Sequence, residues 1–204
     1  MIKTFNIPGP LGKLEALIET VDHPQAPWAL LLHPHPLYCG TMHNKVISTT
    51  AKACREAGIH TLRFNFKGVG QSESDYTDLK GASEDAQAAI RWLIKHHGTP
   101  PQYLIGFSFG SYVAAEIAQP TMSVILIAPP VERLPFNLQK LPHSTTIIQG
   151  NLDTITSPKA TRRAFEARIQ SNHYIEIPNA SHFFDGQLHT LHQTLKPILT
   201  LKPE

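Results

Sequence analysis

The chain has 204 residues, of which 41 % are hydrophobic and 17 % are charged, and its formal net charge is +2. A chain of this length buries about 70 % of its unfolded surface, so we expect residues 1–204 to form one domain that needs no disulfide or structural metal. The composition excludes a disordered protein, and the small, scattered charge excludes a strongly basic nucleic-acid-binding protein.

The N-terminal residues and the cysteines indicate which cellular compartment to expect for the protein. Residues 1–6 lack the apolar stretch and cleavage site of a signal peptide, and no segment has the length of a transmembrane helix. Cys39 and Cys54 are too few for a disulfide scaffold. We therefore expect a cytoplasmic protein with free thiols and no membrane partner.

The first third of the chain predicts a hairpin followed by the start of a parallel sheet. Residues 1–21 alternate apolar and polar side chains around a Pro-Gly-Pro sequence, which predicts two antiparallel strands at a sheet edge. The continuous apolar run at 28–33 is typical of a strand covered by helices on both faces. Helical spacing at 45–57 and a strand at 59–66 extend this pattern.

The glycine-rich sequence at 67–72 is only a weak indication of phosphate binding. It lacks the third glycine of a dinucleotide-binding loop and the Lys-Ser/Thr ending of a phosphate loop. We therefore do not interpret it as a nucleotide site.

The rest of the chain alternates strands with helices. The predicted elements are a helix at 83–97, strands at 102–107, 123–128, 145–150 and 174–178, and helices that begin at 108, 157 and 188. This alternation predicts an α/β fold, in which right-handed crossovers surround a mostly parallel twisted sheet with helices on both faces.

A Gly-x-Ser-x-Gly sequence at 106–110 joins the predicted strand to the helix behind it. A nucleophilic serine projects from a sharp turn of this kind, where only glycine lets the neighbouring backbone approach. The first N–H groups of the helix would face a developing oxyanion. Ser108 is therefore the candidate nucleophile, although a glycine-serine turn without a catalytic role has the same local sequence.

An acid and a histidine follow Ser108 in the order that such a turn requires. Asp153 comes just after one predicted strand, and His182 comes just after the last. Because the carboxyl ends of parallel strands meet at one sheet edge, we expect Ser108, Asp153 and His182 to form a catalytic triad. In it, His182 takes the serine proton and Asp153 fixes the histidine tautomer. Taken singly, Asp153 also fits a helix cap, and His182 is one of 12 histidines.

Two backbone N–H groups must stabilise the oxyanion. The Phe109 N–H is one of them, because Phe109 follows the nucleophile. The other must come from the loop at 33–41, in which two prolines have no N–H. The remaining candidates are His35, Leu37 and Tyr38, and we favour Leu37.

The same loop contains two side-chain features with other interpretations. His33 and His35 form a His-x-His pair without a nearby carboxylate in the sequence, so hydrogen bonding or packing is favoured over a metal site. Cys39 has no elbow around it, so we favour a loop thiol over an alternative nucleophile.

Several segments together resemble the α/β-hydrolase superfamily. Residues 63–72 are similar to its Arg-Phe-Asp-x-Arg-Gly-x-Gly-x-Ser segment, 106–110 to its elbow, 150–153 to its acid turn and 180–184 to its histidine loop. The segment at 33–46 further resembles a small bacterial branch of compact serine hydrolases related to dienelactone hydrolases, with Cys39 where that branch usually has glycine. The resemblance implies hydrolysis of an ester or a related acyl bond.

The connection at 129–144 is too short for the cap domain that this superfamily commonly inserts there. We therefore expect an exposed cleft without a cap, suited to small or partly exposed esters. Its expected apolar lining is Leu37, Tyr38, Phe107, Phe109, Phe136 and Phe183.

The favoured function is that of a serine hydrolase that cleaves a small ester through an acyl-enzyme, with no metal or organic cofactor. The expected partner is a small-molecule acyl substrate, and nucleic acid and membranes are not expected partners. The alternatives are a non-catalytic binding or scaffold protein on the same fold, or a thioesterase, lactonase, peptidase or acyltransferase with the same residues. A monomer and a homodimer are both compatible with the sequence.

Overall fold

A computed structural model describes residues 1–166 and 173–200 of the chain. The described residues contain eight strands that pair in one sheet. The strands are β1 (Ile2–Gly9), β2 (Gly12–Glu19), β3 (Trp28–Leu32), β4 (His60–Phe64), β5 (Tyr103–Phe107), β6 (Ser123–Ile127), β7 (Thr146–Gly150) and β8 (Tyr174–Ile177). The α-helices are α1 (Lys45–Glu56), α2 (Leu79–His97), α3 (Phe109–Ile117), α4 (Pro158–Phe165) and α5 (Leu188–Thr200).

The sheet has the strand order β1-β2-β4-β3-β5-β6-β7-β8. Strands β3 to β8 run parallel to one another, whereas β1 and β2 form an antiparallel hairpin that joins the sheet through β2 and β4. The predicted α/β fold, with a mostly parallel sheet and an N-terminal hairpin at its edge, is confirmed.

Helices cover both faces of the sheet, because side chains of the central strands point alternately to opposite sides. Leu30 and Leu32 of β3 pack in a core with α2, α3 and α4, whereas Ala29 and Leu31 pack in a second core with α1 and α5. All five residues of β3 are buried. This double coverage explains the continuous apolar run in the sequence.

Helix α2 begins four residues earlier than the sequence predicts. The Asp78 carboxylate accepts a hydrogen bond of 2.7 Å from the Gly81 N–H and caps the helix. A glycine in the first turn weakens the helical pattern in the sequence, but a Cβ on Gly81 would lie 2.1 Å from Thr77 Oγ1. The side chains around the helix start therefore pack closely against the glycine that obscured it in the sequence.

No cap domain interrupts the sheet between β6 and β7. Residues 128–145 make this connection and contain a single 3₁₀ turn, Leu138–Lys140. The carboxyl ends of the parallel strands consequently stay uncovered by an inserted domain. Among the helices of the described ranges, none has the length and apolar character needed to span a membrane.

His33 anchors the loop after β3 from within the core. Its imidazole is fully buried, with Nδ1 2.6 Å from the Pro34 carbonyl oxygen, and Nε2 accepts the Phe66 N–H at 3.0 Å. Burial lowers the pKa of His33 to about 3, so the ring is neutral in the folded protein at neutral pH.

The buried neutral His33 predicts loss of stability in acid. Below a pH of about 6.5 the unfolded chain takes up a proton that the folded chain does not, until the pH approaches 3. The free energy of unfolding should therefore fall with decreasing pH, with His33 contributing about 1.4 kcal/mol per pH unit. Urea unfolding between pH 4 and 7 measures this slope. It should be reduced in His33→Gln and unchanged in the control His43→Gln, and equal slopes in all three proteins would contradict the prediction.

Candidate active site

The turn between β5 and α3 packs so closely against neighbouring backbone that two of its positions have no room for a side chain. A Cβ on Gly106 would lie 2.1 Å from the Gly110 carbonyl oxygen, and one on Gly110 would lie 2.1 Å from the Leu32 carbonyl oxygen. Ser108 lies between them with a φ of 52°, in the left-handed region. This strained backbone is the geometry of a nucleophile elbow.

The elbow is fixed to the sheet and opens a helix. The Ser108 N–H donates to the Ile127 carbonyl oxygen at 2.8 Å, which ties the turn to the end of β6. Phe109 is the first residue of α3, so its N–H has no acceptor within the helix. The positive end of the helix dipole therefore lies beside the half-exposed Ser108 side chain.

Ser108, His182 and Asp153 lie in a continuous hydrogen-bonded row. His182 Nε2 is 3.0 Å from Ser108 Oγ, and His182 Nδ1 is 2.7 Å from Asp153 Oδ2. His182 and Asp153 are almost completely buried. With the proton on Nδ1, the histidine donates to Asp153 and leaves Nε2 as an acceptor for the serine hydroxyl.

The Asp153 carboxylate accepts every hydrogen bond that it needs to stay ionised in the interior. Oδ1 accepts the N–H groups of Ile155 and Thr156, each at 2.8 Å. Oδ2 accepts the Thr156 hydroxyl at 2.6 Å and the Gln149 amide at 2.9 Å. Burial by itself raises the pKa of Asp153, but the hydrogen bonds from His182 and Thr156 outweigh it and hold the pKa below its usual value.

Gln149 and Thr156 were not identified from the sequence as parts of the site. Gln149 is a fully buried polar residue in a strand that is otherwise apolar or β-branched at its centre. A buried amide needs a polar partner, so a glutamine within an apolar strand was the sequence feature that could have indicated a role for Gln149. Thr156 gave no signal, because a threonine shortly before a helix start is commonplace.

The histidine loop is held by aromatic packing and by an ion pair. The Phe107 ring lies beneath the imidazole of His182, with centroids 5.2 Å apart, and Phe183 packs edge-on against the same imidazole at 5.1 Å. Lys45, at the start of α1, forms an ion pair with Asp185. These contacts connect the loop after β8 to β5 and to the start of α1.

The expectation that Leu37 supplies the second oxyanion donor does not fit the hydrogen bonding. The Leu37 N–H donates to His35 Nδ1 at 3.1 Å, and the Tyr38 N–H donates to the His35 carbonyl oxygen at 3.0 Å. In the part of the chain that the structure describes, no protein acceptor receives the His35 N–H. Of the three candidates, His35 alone has its N–H available to an oxyanion.

Cys39 closes the same loop in a conformation that favours glycine. Its φ is 58°, and its side chain is exposed. The next position has room only for glycine, because a Cβ on Gly40 would lie 2.0 Å from the Pro34 carbonyl oxygen. The loop therefore keeps its conformation although Cys39, and not an unstrained glycine, occupies the position with the positive φ.

Part of the expected cleft lining is wrong, because the structure packs those side chains in or against the core. Phe107 and Phe109 are fully buried, and Phe136 packs against Tyr112 and Phe165. The remaining expected residues are exposed, and the acid loop adds two exposed apolar side chains that the sequence analysis did not include. The exposed apolar residues of these loops are Leu37, Tyr38, Leu152, Ile155 and Phe183.

The glycine-rich loop after β4 is occupied by a protein carboxylate. Glu15 Oε2 accepts the Gln71 N–H at 2.8 Å and the Asn65 amide at 2.7 Å. The Lys67 ammonium, which is buried, lies 3.4 Å from the buried Asp85 carboxylate. These contacts give the loop a structural role in joining the hairpin and α2 to the sheet.

Comparison with known families gives a match to the serine aminopeptidase S33 family over residues 40–135. The matched residues include the elbow at Ser108 but end before Asp153 and His182. The match therefore covers Ser108 but not the other two residues of the hydrogen-bonded row.

Relatives and solved structures match nearly the whole chain. An uncharacterized protein of Rickettsia prowazekii, RP471, is 35 % identical over 86 % of this chain and 79 % of its own length. An α/β serine hydrolase homologue from Coxiella burnetii is 35 % identical with a TM-score of 0.89, covering 96 % of each chain. XC6422 from Xanthomonas campestris, described as an α/β serine hydrolase without a lid, is 32 % identical with a TM-score of 0.87, covering 97 % of this chain and 93 % of its own.

Removing the Thr156 hydroxyl should destabilise the protein, because a buried carboxylate would lose a short, charge-assisted hydrogen bond. We expect Thr156→Val to lower the free energy of unfolding at pH 7 by about 2 kcal/mol. Urea unfolding of the parent and the variant measures this free-energy difference. The matched variant Thr156→Ser keeps the hydroxyl and should lose less than about 1 kcal/mol, so equal losses in the two variants would contradict the assigned role.

Proposed function

The chain belongs to the α/β serine hydrolases, and from that premise we propose that it cleaves a carboxylic ester of a small molecule through an acyl-enzyme intermediate. The observation that carries the proposal is the hydrogen-bonded row from Ser108 through His182 to Asp153 at the uncovered edge of the sheet. The proposed reaction uses protein groups and water.

In the proposed first step, Ser108 Oγ attacks the carbonyl carbon of the ester while His182 Nε2 takes the hydroxyl proton. Asp153 stabilises the imidazolium that forms and keeps it in the correct orientation. The tetrahedral intermediate then expels the alcohol, which leaves with the proton from His182. Water, deprotonated by the same histidine, attacks the acyl-enzyme and releases the acid, and Ser108 regains its proton.

The backbone N–H groups of Phe109 and His35 are the proposed oxyanion donors. Phe109 contributes an N–H at the positive end of α3, and His35 contributes an N–H without a protein acceptor in the described ranges. Fixed donors of this kind stabilise the charge that develops on the carbonyl oxygen without having to reorient during the reaction.

The proposed substrate cleft is bounded by the exposed apolar side chains of the three loops that carry the site. Tyr38 is 83 % exposed and Phe183 is 40 % exposed. Apolar side chains are seldom concentrated around a polar site without a binding role, so we propose that they contact the apolar part of the ester. The uncovered edge suits a substrate that is only partly enclosed.

A peptide bond is the second candidate for cleavage, because the family that matches residues 40–135 is described as a serine aminopeptidase. The same nucleophile, base and oxyanion donors serve esters, thioesters, lactones and amides. A panel that includes aminoacyl arylamides beside 4-nitrophenyl esters separates these activities. Turnover of the arylamides alone would replace the ester proposal with the peptidase one.

Replacing the nucleophile should abolish turnover. We expect Ser108→Ala to lower kcat for 4-nitrophenyl acetate by a factor on the order of 10⁶, because the acyl-enzyme has no atom on which to form. A fluorophosphonate probe with peptide mass mapping should label Ser108 in the parent protein. The control Ser123→Ala, at the opposite end of β6, should keep parental activity and labelling. Retained hydrolysis by a pure, folded Ser108→Ala protein would exclude the proposal, and absence of labelling in the folded parent would favour a binding protein.

The apolar cleft predicts a dependence on acyl-chain length. Tyr38→Ser should lower kcat/KM for 4-nitrophenyl butyrate about five-fold and leave that for the acetate within about two-fold, because the longer chain has more apolar surface to bury against the ring. The control Ile94→Ser removes an exposed apolar side chain near the end of α2. It should change neither value, and an equal loss with both esters in Tyr38→Ser would contradict the assignment.

A further inference from the structure

Three N–H groups in the loop after β3 donate hydrogen bonds to one residue, His35. Its carbonyl oxygen accepts the N–H of Tyr38 at 3.0 Å and that of Gly40 at 3.1 Å. Its side-chain Nδ1 accepts the N–H of Leu37 at 3.1 Å and thereby caps the 3₁₀ turn Pro36–Tyr38. Two of these hydrogen bonds therefore fix the peptide unit after the His35 α-carbon, and the third fixes its side chain.

The imidazole also joins this loop to the nucleophile elbow. Its centroid lies 4.5 Å from that of Phe109, the residue after the nucleophile, and 5.2 Å from that of Tyr76 in the segment before α2. Tyr38 covers another side of the ring at 5.0 Å. The two residues that carry the proposed oxyanion donors, His35 and Phe109, are thus in direct side-chain contact.

We propose that the His35 imidazole is a positioning residue for the oxyanion site, and that it acts as a hydrogen-bond acceptor for the Leu37 N–H rather than as a packing group. By holding the turn Pro36–Tyr38, Nδ1 keeps the His35 backbone N–H in the orientation that receives the oxyanion. This inference rests on the proposed function of the site. It assigns a role to a side chain that takes no part in proton transfer with Ser108.

The acceptor role requires the neutral ring with its proton on Nε2. A protonated imidazole carries hydrogen on both nitrogens, so Nδ1 would then face the Leu37 N–H donor to donor and the cap would be lost. Burial lowers the pKa of His35, which keeps the ring neutral at pH 7. The titratable groups around it are the buried His33 imidazole and the phenols of Tyr38 and Tyr76. The neutral ring therefore keeps this cap at neutral pH, and protonation of the ring in acid removes the acceptor.

Three variants separate the acceptor from the ring. His35→Asn places Oδ1 where Nδ1 was and keeps the cap without the ring. His35→Phe keeps the aromatic packing without the acceptor, and His35→Ala removes both. We expect kcat for 4-nitrophenyl acetate to stay within about three-fold of the parent in the Asn variant and to fall on the order of ten-fold in the Phe and Ala variants, with KM changed less than about two-fold.

The opposite ranking, with His35→Phe active and His35→Asn impaired, would overturn the proposal in favour of packing. Circular dichroism and fluorophosphonate labelling of Ser108 in each variant show that the fold and the nucleophile persist. A parent protein that neither labels nor hydrolyses esters would exclude the proposed function itself, a result distinct from any ranking of the variants.

Nuclear magnetic resonance tests the hydrogen bond from the Leu37 N–H to His35 Nδ1 without an activity assay. In the parent, the Leu37 amide resonance should shift together with the His35 ring resonances as the pH falls through the lowered pKa of His35. In His35→Asn that shift should disappear. A Leu37 amide that is insensitive to His35 protonation in the parent would overturn the proposal even if a variant failed to fold.

Discussion

The turn at Ser108 depends on contact between backbone atoms that leaves no space for side chains. The Gly106 and Gly110 α-carbons lie against carbonyl oxygens of the helix and of β3, at distances that exclude even a methyl group. This packing holds Ser108 at a positive φ and places its Oγ above the sheet. The elbow is therefore built by the sheet and helix together, and a local sequence with the same residues but without β3 beside it would not keep this conformation.

The hydrogen-bonded row from Ser108 to Asp153 also requires a buried carboxylate that stays ionised. Asp153 lies in the loop after β7, where burial opposes its charge, and donors from this loop and from Gln149 compensate for the lost water. The carboxylate in turn orients His182 between itself and the serine. Loops after three parallel strands meet here because those strands end at one edge of the sheet, which is the general place for sites in open α/β folds.

The loop after β3 completes the site from the other side of the elbow. Buried His33 ties the start of this loop to the segment after β4 through the Phe66 N–H, and His35 accepts the hydrogen bonds of the turn that follows. Pro34 and Pro36, one on each side of His35, remove competing N–H donors from the loop. The available His35 N–H is the consequence of these fixed partners.

The sequence by itself determined the α/β fold, the hairpin at the sheet edge, the short connection without a cap, and the order of Ser108, Asp153 and His182. These features follow from periodicity, glycine spacing and strand ends, which are local or ordered along the chain. Tertiary structure alone decided that the Leu37 N–H is taken up by His35 Nδ1, and that Phe107 packs against His182 from the core. It also brought Gln149 and Thr156 to Asp153. These outcomes depend on hydrogen-bond directions and on which face of a strand is covered, and residue type and spacing do not specify either.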